Sequence, residues 1–241
     1  MTRAAYREAI EWSAANGIEL GLECDVHFSA DDQLICLHDL KVDRTATSNG
    51  YAFGLTVAEL KRLDFGSRRL PRPTAEQREL VTLLELMIMV RDARDLGVPV
   101  RLVIETKHPN RRGFEVERRV AAMLADFGWD HSGAPVTVIS FSLGAVRQLR
   151  SRLPALPRVL LVEHQLGRWT TGRLPTGIKI IGPDVELIKA DPGFVTRAEV
   201  HGNEVHVWTV NAPDDIRFCR DLGVTGFTTD YPDRVAEILA E

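Results

Sequence analysis

From residue 100 onward, short β-branched runs alternate with amphipathic segments, and this alternation restricts the available folds more than any other feature. Val100 to Lys107, Pro135 to Phe141, Arg158 to Glu163, Ile178 to Ile181, Val205 to Val210 and Val224 to Thr229 read as strands. Between and after them, Arg112 to Phe127, Ser142 to about Leu153, Pro192 to His201, Pro213 to Leu222 and Asp233 to Leu239 read as helices. Strand, helix and strand in that order give parallel strands joined by right-handed crossovers.

The first hundred residues fit the same plan. Thr2 to Asn16 has apolar Ala5, Ile10, Trp12 and Ala15 among charged neighbours, with Asn16-Gly17 as a helix stop. Leu20 to Phe28 is a strand. Thr56 caps Val57 to Leu63, with Glu59 at the third helical position, and Thr82 caps Leu83 to about Leu96, ended by Gly97. Ser67 to Arg78 is a basic, proline-bearing connector. Leu34 to Leu37 is the return arm of a hairpin, so the parallel-type strands number seven, where a closed (β/α)8 barrel of the TIM type needs eight. The chain also opens on a helix, where such a barrel opens on a strand. The count predicts a further strand and turn, on the order of 10–20 residues, ahead of Met1.

A length of 241 residues suits one barrel domain over residues 1–241. The net charge of −4 argues against non-specific nucleic-acid binding. Cys24, Cys36 and Cys219 make no disulfide framework and read as small buried thiols, implying a reducing compartment. No opening signal segment or membrane-length apolar run is visible, so the expectation is a cytoplasmic protein with no stable membrane anchor.

Chemistry concentrates in Gly21 to Asp39. Strand alternation puts Glu23, Asp25 and His27 on one face, and three titratable groups there need water, a metal or a partner. If Asp31 and Asp32 form a two-residue turn, Phe28 faces Ile35 and Asp25 faces His38, which brings carboxylates and imidazoles together. In a barrel the active site lies at the C-terminal strand ends. Glu105 and Lys107 share a face at the end of the next parallel strand. Three carboxylates, Glu23, Asp25 and Glu105, suit a hard divalent cation such as Mg²⁺ or Ca²⁺, and Lys107 suits an anionic substrate group. Trp208 reads equally as a core plug and as a platform for an apolar substrate part. His108 is placed to touch substrate without doing chemistry, and His131, His164, His201 and His206 have no clustered ligands.

Several ordered pieces carry a resemblance. Glu23-Cys24-Asp25-Val26, Leu37-His38-Asp39, Asp43-Arg44-Thr45, Thr56-Val57-Ala58-Glu59-Leu60, Asp64-Phe65-Gly66, Thr82-Leu83-Leu84-Glu85-Leu86, Ile104-Glu105-Thr106-Lys107, Ser140-Phe141, Trp208-Thr209-Val210-Asn211 and Thr229-Asp230-Tyr231-Pro232 run along most of the chain. Together they resemble the glycerophosphodiester phosphodiesterase family, within the phospholipase-C-like phosphodiesterase barrels. The resemblance implies a (β/α)8 barrel and a divalent cation on Glu23, Asp25 and Glu105. It also implies that His38 is one of two catalytic histidines and that Lys107 contacts phosphate. Two departures stand out. The family's opening His-Arg-Gly strand has no counterpart here, and Asp32-Gln33 replaces its usual Asp-Gly turn.

The expected activity is metal-dependent hydrolysis of small-molecule glycerophosphodiesters to glycerol 3-phosphate and an alcohol. One rival is a catalytically impaired barrel that binds a phosphorylated ligand, motivated by the absent His-Arg. The other is metal-assisted proton abstraction with Lys107 as base. His27 is the reserve for His38, with a supporting role implied because the family usually has Gln there.

Overall fold

Thr2 starts the first helix. Its hydroxyl accepts from the Ala5 N–H, and α1 runs Arg3–Asn16 until Gly17, at φ 66°, closes it. This is the extent expected from the Asn-Gly stop. A computed structural model describes all residues, Met1–Glu241. Its contacts group them into two units, Met1–Thr137 and Val138–Glu241.

In the first unit, α1 leads into β1 (Leu20–Phe28), β2 (Leu34–Cys36), α2 (Val57–Leu60), α3 (Ala75–Arg78), α4 (Leu83–Asp95), β3 (Val100–Thr106) and α5 (Glu115–Asp126). The three strands lie in the order β2-β1-β3. β1 pairs with β3 in parallel from Leu20↔Val100 to Val26↔Thr106. Gly21 has a packing reason, since a Cβ there would meet the Val103 side chain at 2.9 Å. Three further segments with Thr caps (α2, α4 and the unforeseen α3) each carry a full capping box, Thr56 with Glu59, Thr74 with Gln77 and Thr82 with Glu85. The proline-bearing connector therefore holds one helical turn that its composition concealed. α4 buries Leu83, Leu86, Met87 and Val90 completely. At about 1.5–3 kcal/mol for each large apolar side chain, this face anchors the unit far more strongly than any single surface ion pair.

The hairpin differs from expectation by one residue. The observed pairs are Val26↔Cys36, His27↔Ile35 and Phe28↔Leu34. The Leu37 N–H donates to the Asp25 carbonyl at 2.9 Å, so Asp25 lies opposite Leu37 rather than His38. The cause is the turn. Ser29 and Gln33 close a three-residue loop, with Asp32 in the left-handed region at φ 61°. The Ser29 hydroxyl donates to Asp31 Oδ1 and accepts from the Gln33 N–H, which stabilises this longer loop over a two-residue turn.

The second unit takes up β4 (Val136–Ser140) from Val138 onward. It continues through α6 (Leu143–Arg152), β5 (Arg158–Val162), β6 (Ile180–Pro183), α7 (Val185–Ala190), α8 (Gly193–Val200), β7 (Glu204–Val207), α9 (Pro213–Asp221), β8 (Gly226–Phe227) and α10 (Pro232–Leu239). Each strand pairs in parallel with the next. Seven strands of the chain thus pair in parallel, the number read from the sequence. α7, capped by Asp184, was not foreseen. β7 and β8 are shorter than their apolar runs, and β6 starts two residues later than Ile178. A core of Ile181, Phe194, Val207, Ile216 and Cys219, all buried, fills this unit. All three cysteines are free and buried. No helix is long and apolar enough to cross a membrane.

Candidate active site

The parallel register sets the site in the first unit. Asp25 lies directly beside Glu105, and Glu23, two residues back on β1, shares their face. One ligand oxygen from each of Glu23, Asp25 and Glu105 falls within 4.8 Å of the others. Lys107, just past β3, bridges two of them, with Nζ 2.7 Å from Asp25 and 2.8 Å from Glu105. The Asp25 and Glu105 side chains are 3% and 7% exposed, so water screens these charges little.

Their ionisation reflects that crowding. Burial, then Asp25 and Glu105, pushes the Glu23 carboxyl well above the ordinary range. Burial, then Asp25, pushes Glu105 up to about 7, against the pull of Lys107. Burial opposes the Lys107 charge, but Asp25 and Glu105 outweigh it and raise the ammonium. Glu23 Oε1 is buried with no hydrogen-bond partner. Fully ionised, three carboxylates and one ammonium leave two negative charges uncompensated. A buried oxygen lacking a donor and an unmet charge of two are what a divalent cation satisfies, so the donor set fits a hard ion.

His38 stands one residue beyond the position opposite Asp25. Its Nδ1 lies 2.7 Å from Asp39 Oδ1. Asp39 is held down to about 2, by the Arg44 fork first and by His38 after it, against burial, which pushes it up. Arg44 donates from Nε at 2.6 Å and from Nη2 at 3.0 Å. An ionised carboxylate only accepts, so Nδ1 carries the proton and Nε2 keeps its lone pair in the neutral ring. The Arg44 charge is itself raised by Asp39 and, more weakly, by Asp25, which places this Arg-Asp-His chain in electrostatic reach of the acidic cluster. His27 is buried, its Nε2 donating to the His38 carbonyl at 3.3 Å, and burial lowers its pKa.

Two features lay outside the sequence reading. Asp39 and Arg44 came only as pieces of a motif, without their roles toward His38. Glu117 was overlooked altogether. It is fully buried on α5 and accepts from His108 Nε2 at 2.7 Å. The signal was a carboxylate on the face of α5 that also carries Val116, Val120 and Leu124. His108 is thereby tied to α5. Trp208 lies in the second unit, just past β7, where its indole N–H donates to the Gly182 carbonyl at 2.7 Å and Phe141 meets its ring edge-on at 5.2 Å.

Residues 2–234 match the glycerophosphoryl diester phosphodiesterase family. A Mycobacterium tuberculosis protein named "Probable glycerophosphodiester phosphodiesterase 1" is 35% identical over 240 residues, covering 97% of this chain and 85% of its own. The structure of an Oleispira antarctica phosphodiesterase in complex with the product sn-glycerol-3-phosphate aligns with TM-score 0.78 at 21% identity, over 97% of this chain and 90% of that one. A glycerophosphodiester phosphodiesterase from Parabacteroides distasonis aligns with TM-score 0.76 at 22% identity, over 99% and 90% of the two chains. The fold of this chain is therefore an α/β fold of the TIM-barrel type.

Proposed function

We propose, for a chain that belongs to the glycerophosphoryl diester phosphodiesterase family and is a phosphoric diester hydrolase, that its substrates are glycerophosphodiesters cleaved to glycerol 3-phosphate and an alcohol. The observation that carries this reading is the cluster of Glu23, Asp25 and Glu105 with Lys107 lodged against it. We assign the three carboxylates as holders of a divalent cation, Mg²⁺ or Ca²⁺. Such an ion, when bound, polarises a phosphoryl oxygen and acidifies a neighbouring hydroxyl.

The chain's own groups supply the rest. Lys107 brings a positive charge that offsets negative charge growing on the phosphoryl oxygens. His38 takes and returns a proton at Nε2, the only ring nitrogen with an available lone pair once Asp39 holds Nδ1–H. Asp39 stabilises the imidazolium formed in that transfer, and Arg44 keeps Asp39 ionised. Low solvent exposure of Asp25 and Glu105 strengthens their interaction with Lys107.

The test is release of glycerol 3-phosphate from glycerophosphoglycerol, followed with a coupled glycerol-3-phosphate assay, with and without a chelator. Turnover that the chelator abolishes and either cation restores supports the reading. Tight binding of glycerol 3-phosphate with no turnover under any cation would overturn the hydrolytic assignment in favour of a phospho-ligand binder.

A further inference from the structure

A cavity of about 210 Å³ opens at the C-terminal end of β1, within the first unit. It is lined chiefly by apolar side chains, among them Phe28, Leu40 and Phe53, together with His27, Arg111 and Arg112. His27 fixes its position. The cavity takes in Val26, His27, Phe28 and Ser29 at the C-terminal end of β1, and His27 stands two residues, about 7 Å along the strand, past Asp25. A phosphodiester whose phosphate meets Lys107 would extend its second ester arm over such a distance.

The cavity's charge is one-sided. No carboxylate lines it. Each of its two phenylalanine rings, natural receptors for an ammonium head, already carries a guanidinium over one face. The Arg111 guanidinium carbon lies 4.6 Å from the Phe53 ring centre, and that of Arg112 lies 4.6 Å from the Phe28 ring centre. Asp32, on the neighbouring hairpin loop, is engaged by Arg112. A cationic alcohol would therefore enter an apolar chamber and meet two like charges in its lining. An uncharged apolar group meets none of these penalties.

Resting on the phosphodiesterase reading above, we propose that this cavity holds the alcohol moiety of the substrate and selects diesters whose alcohol has an apolar body and no positive charge, against choline-type alcohols. Two ligands sharing the glycerophosphate half test it, glycerophosphobenzyl alcohol and glycerophosphocholine. Their dissociation constants are measured by calorimetry on the His38→Ala variant with saturating Ca²⁺, which keeps the cation site and slows turnover. The benzyl ester is expected to bind at least about tenfold more tightly, the scale of one occupied cation–π site and its repulsive guanidinium. The double substitution Arg111→Gln and Arg112→Gln should narrow that ratio to within about threefold. Should loss of the Arg112–Asp32 pair loosen the loop, Arg111→Gln alone, which leaves that pair intact, should still narrow it by about threefold. A choline ester bound as tightly as the benzyl ester, or a ratio unmoved in both variants, overturns the proposal. Hydrolysis of the same two esters scores the parent reading separately. Absence of turnover with the binding preference intact would sink the hydrolytic assignment alone, and equal turnover and binding of both would sink only the specificity.

Discussion

Replacing Glu105 with Gln should make the cation-free protein more stable at alkaline pH, although it removes a group central to the site. The reasoning starts from the crowding at β1 and β3. Burial and Asp25 move the Glu105 carboxyl from 4.5 up to about 7. A displacement of that size penalises its ionised form in the native state by about 3 kcal/mol. Because the folded value lies above the unfolded one, this contribution to stability is fully present below about pH 4.5. It is lost as pH rises through about 7. Glutamine keeps the shape and an acceptor for Lys107 but carries no charge to desolvate. Lys107 loses one of its two charged partners and retains Asp25, which takes back part of the gain. The expected balance under chelator at pH 8 is a variant more stable by about 1–3 kcal/mol, with the difference shrinking toward zero near pH 5. Urea unfolding followed by circular dichroism at the two pH values measures both. Saturating Mg²⁺ or Ca²⁺ should reverse the ranking, since ligand at about 100 times its Kd adds ~2.7 kcal/mol to a protein that binds it and little to one that does not. A variant less stable than the parent at pH 8 under chelator would refute the claim that these carboxylates are frustrated without a cation.

The proton-transfer assignment predicts that His38→Ala lowers kcat by at least about 10²-fold. Asp39→Asn should lower kcat similarly with little change in KM, because an amide no longer enforces the Nδ1–H tautomer; a near-normal rate in either variant removes this pair from the mechanism. Thr82→Ala deletes a cap whose hydroxyl accepts from the Glu85 N–H at 3.2 Å, and it should destabilise the fold by about 1 kcal/mol in urea without altering KM.

What the sequence by itself determined was whatever depends on neighbours a few residues apart. Helix starts at Thr2, Thr56 and Thr82 followed from a hydroxyl reaching an amide three residues on, and that geometry is local. Period-two alternation put Glu23 with Asp25 on one face and Glu105 with Lys107 on another, before any contact between the strands was known. Only the tertiary structure decided that Asp25 and Glu105 stand side by side, because parallel pairing joins residues 80 apart through a register no local rule encodes. The hairpin slipped by one residue because the Ser29 hydroxyl favours a three-residue loop, a small energy difference that composition does not rank. Glu117 stayed hidden because its partner is a loop histidine nine residues earlier in the chain, and burial of a carboxylate on an apolar helix face makes sense only with that partner in place. The Arg-lined cavity likewise needs three separate segments to close around it, so its charge and size exist only once the chain has folded.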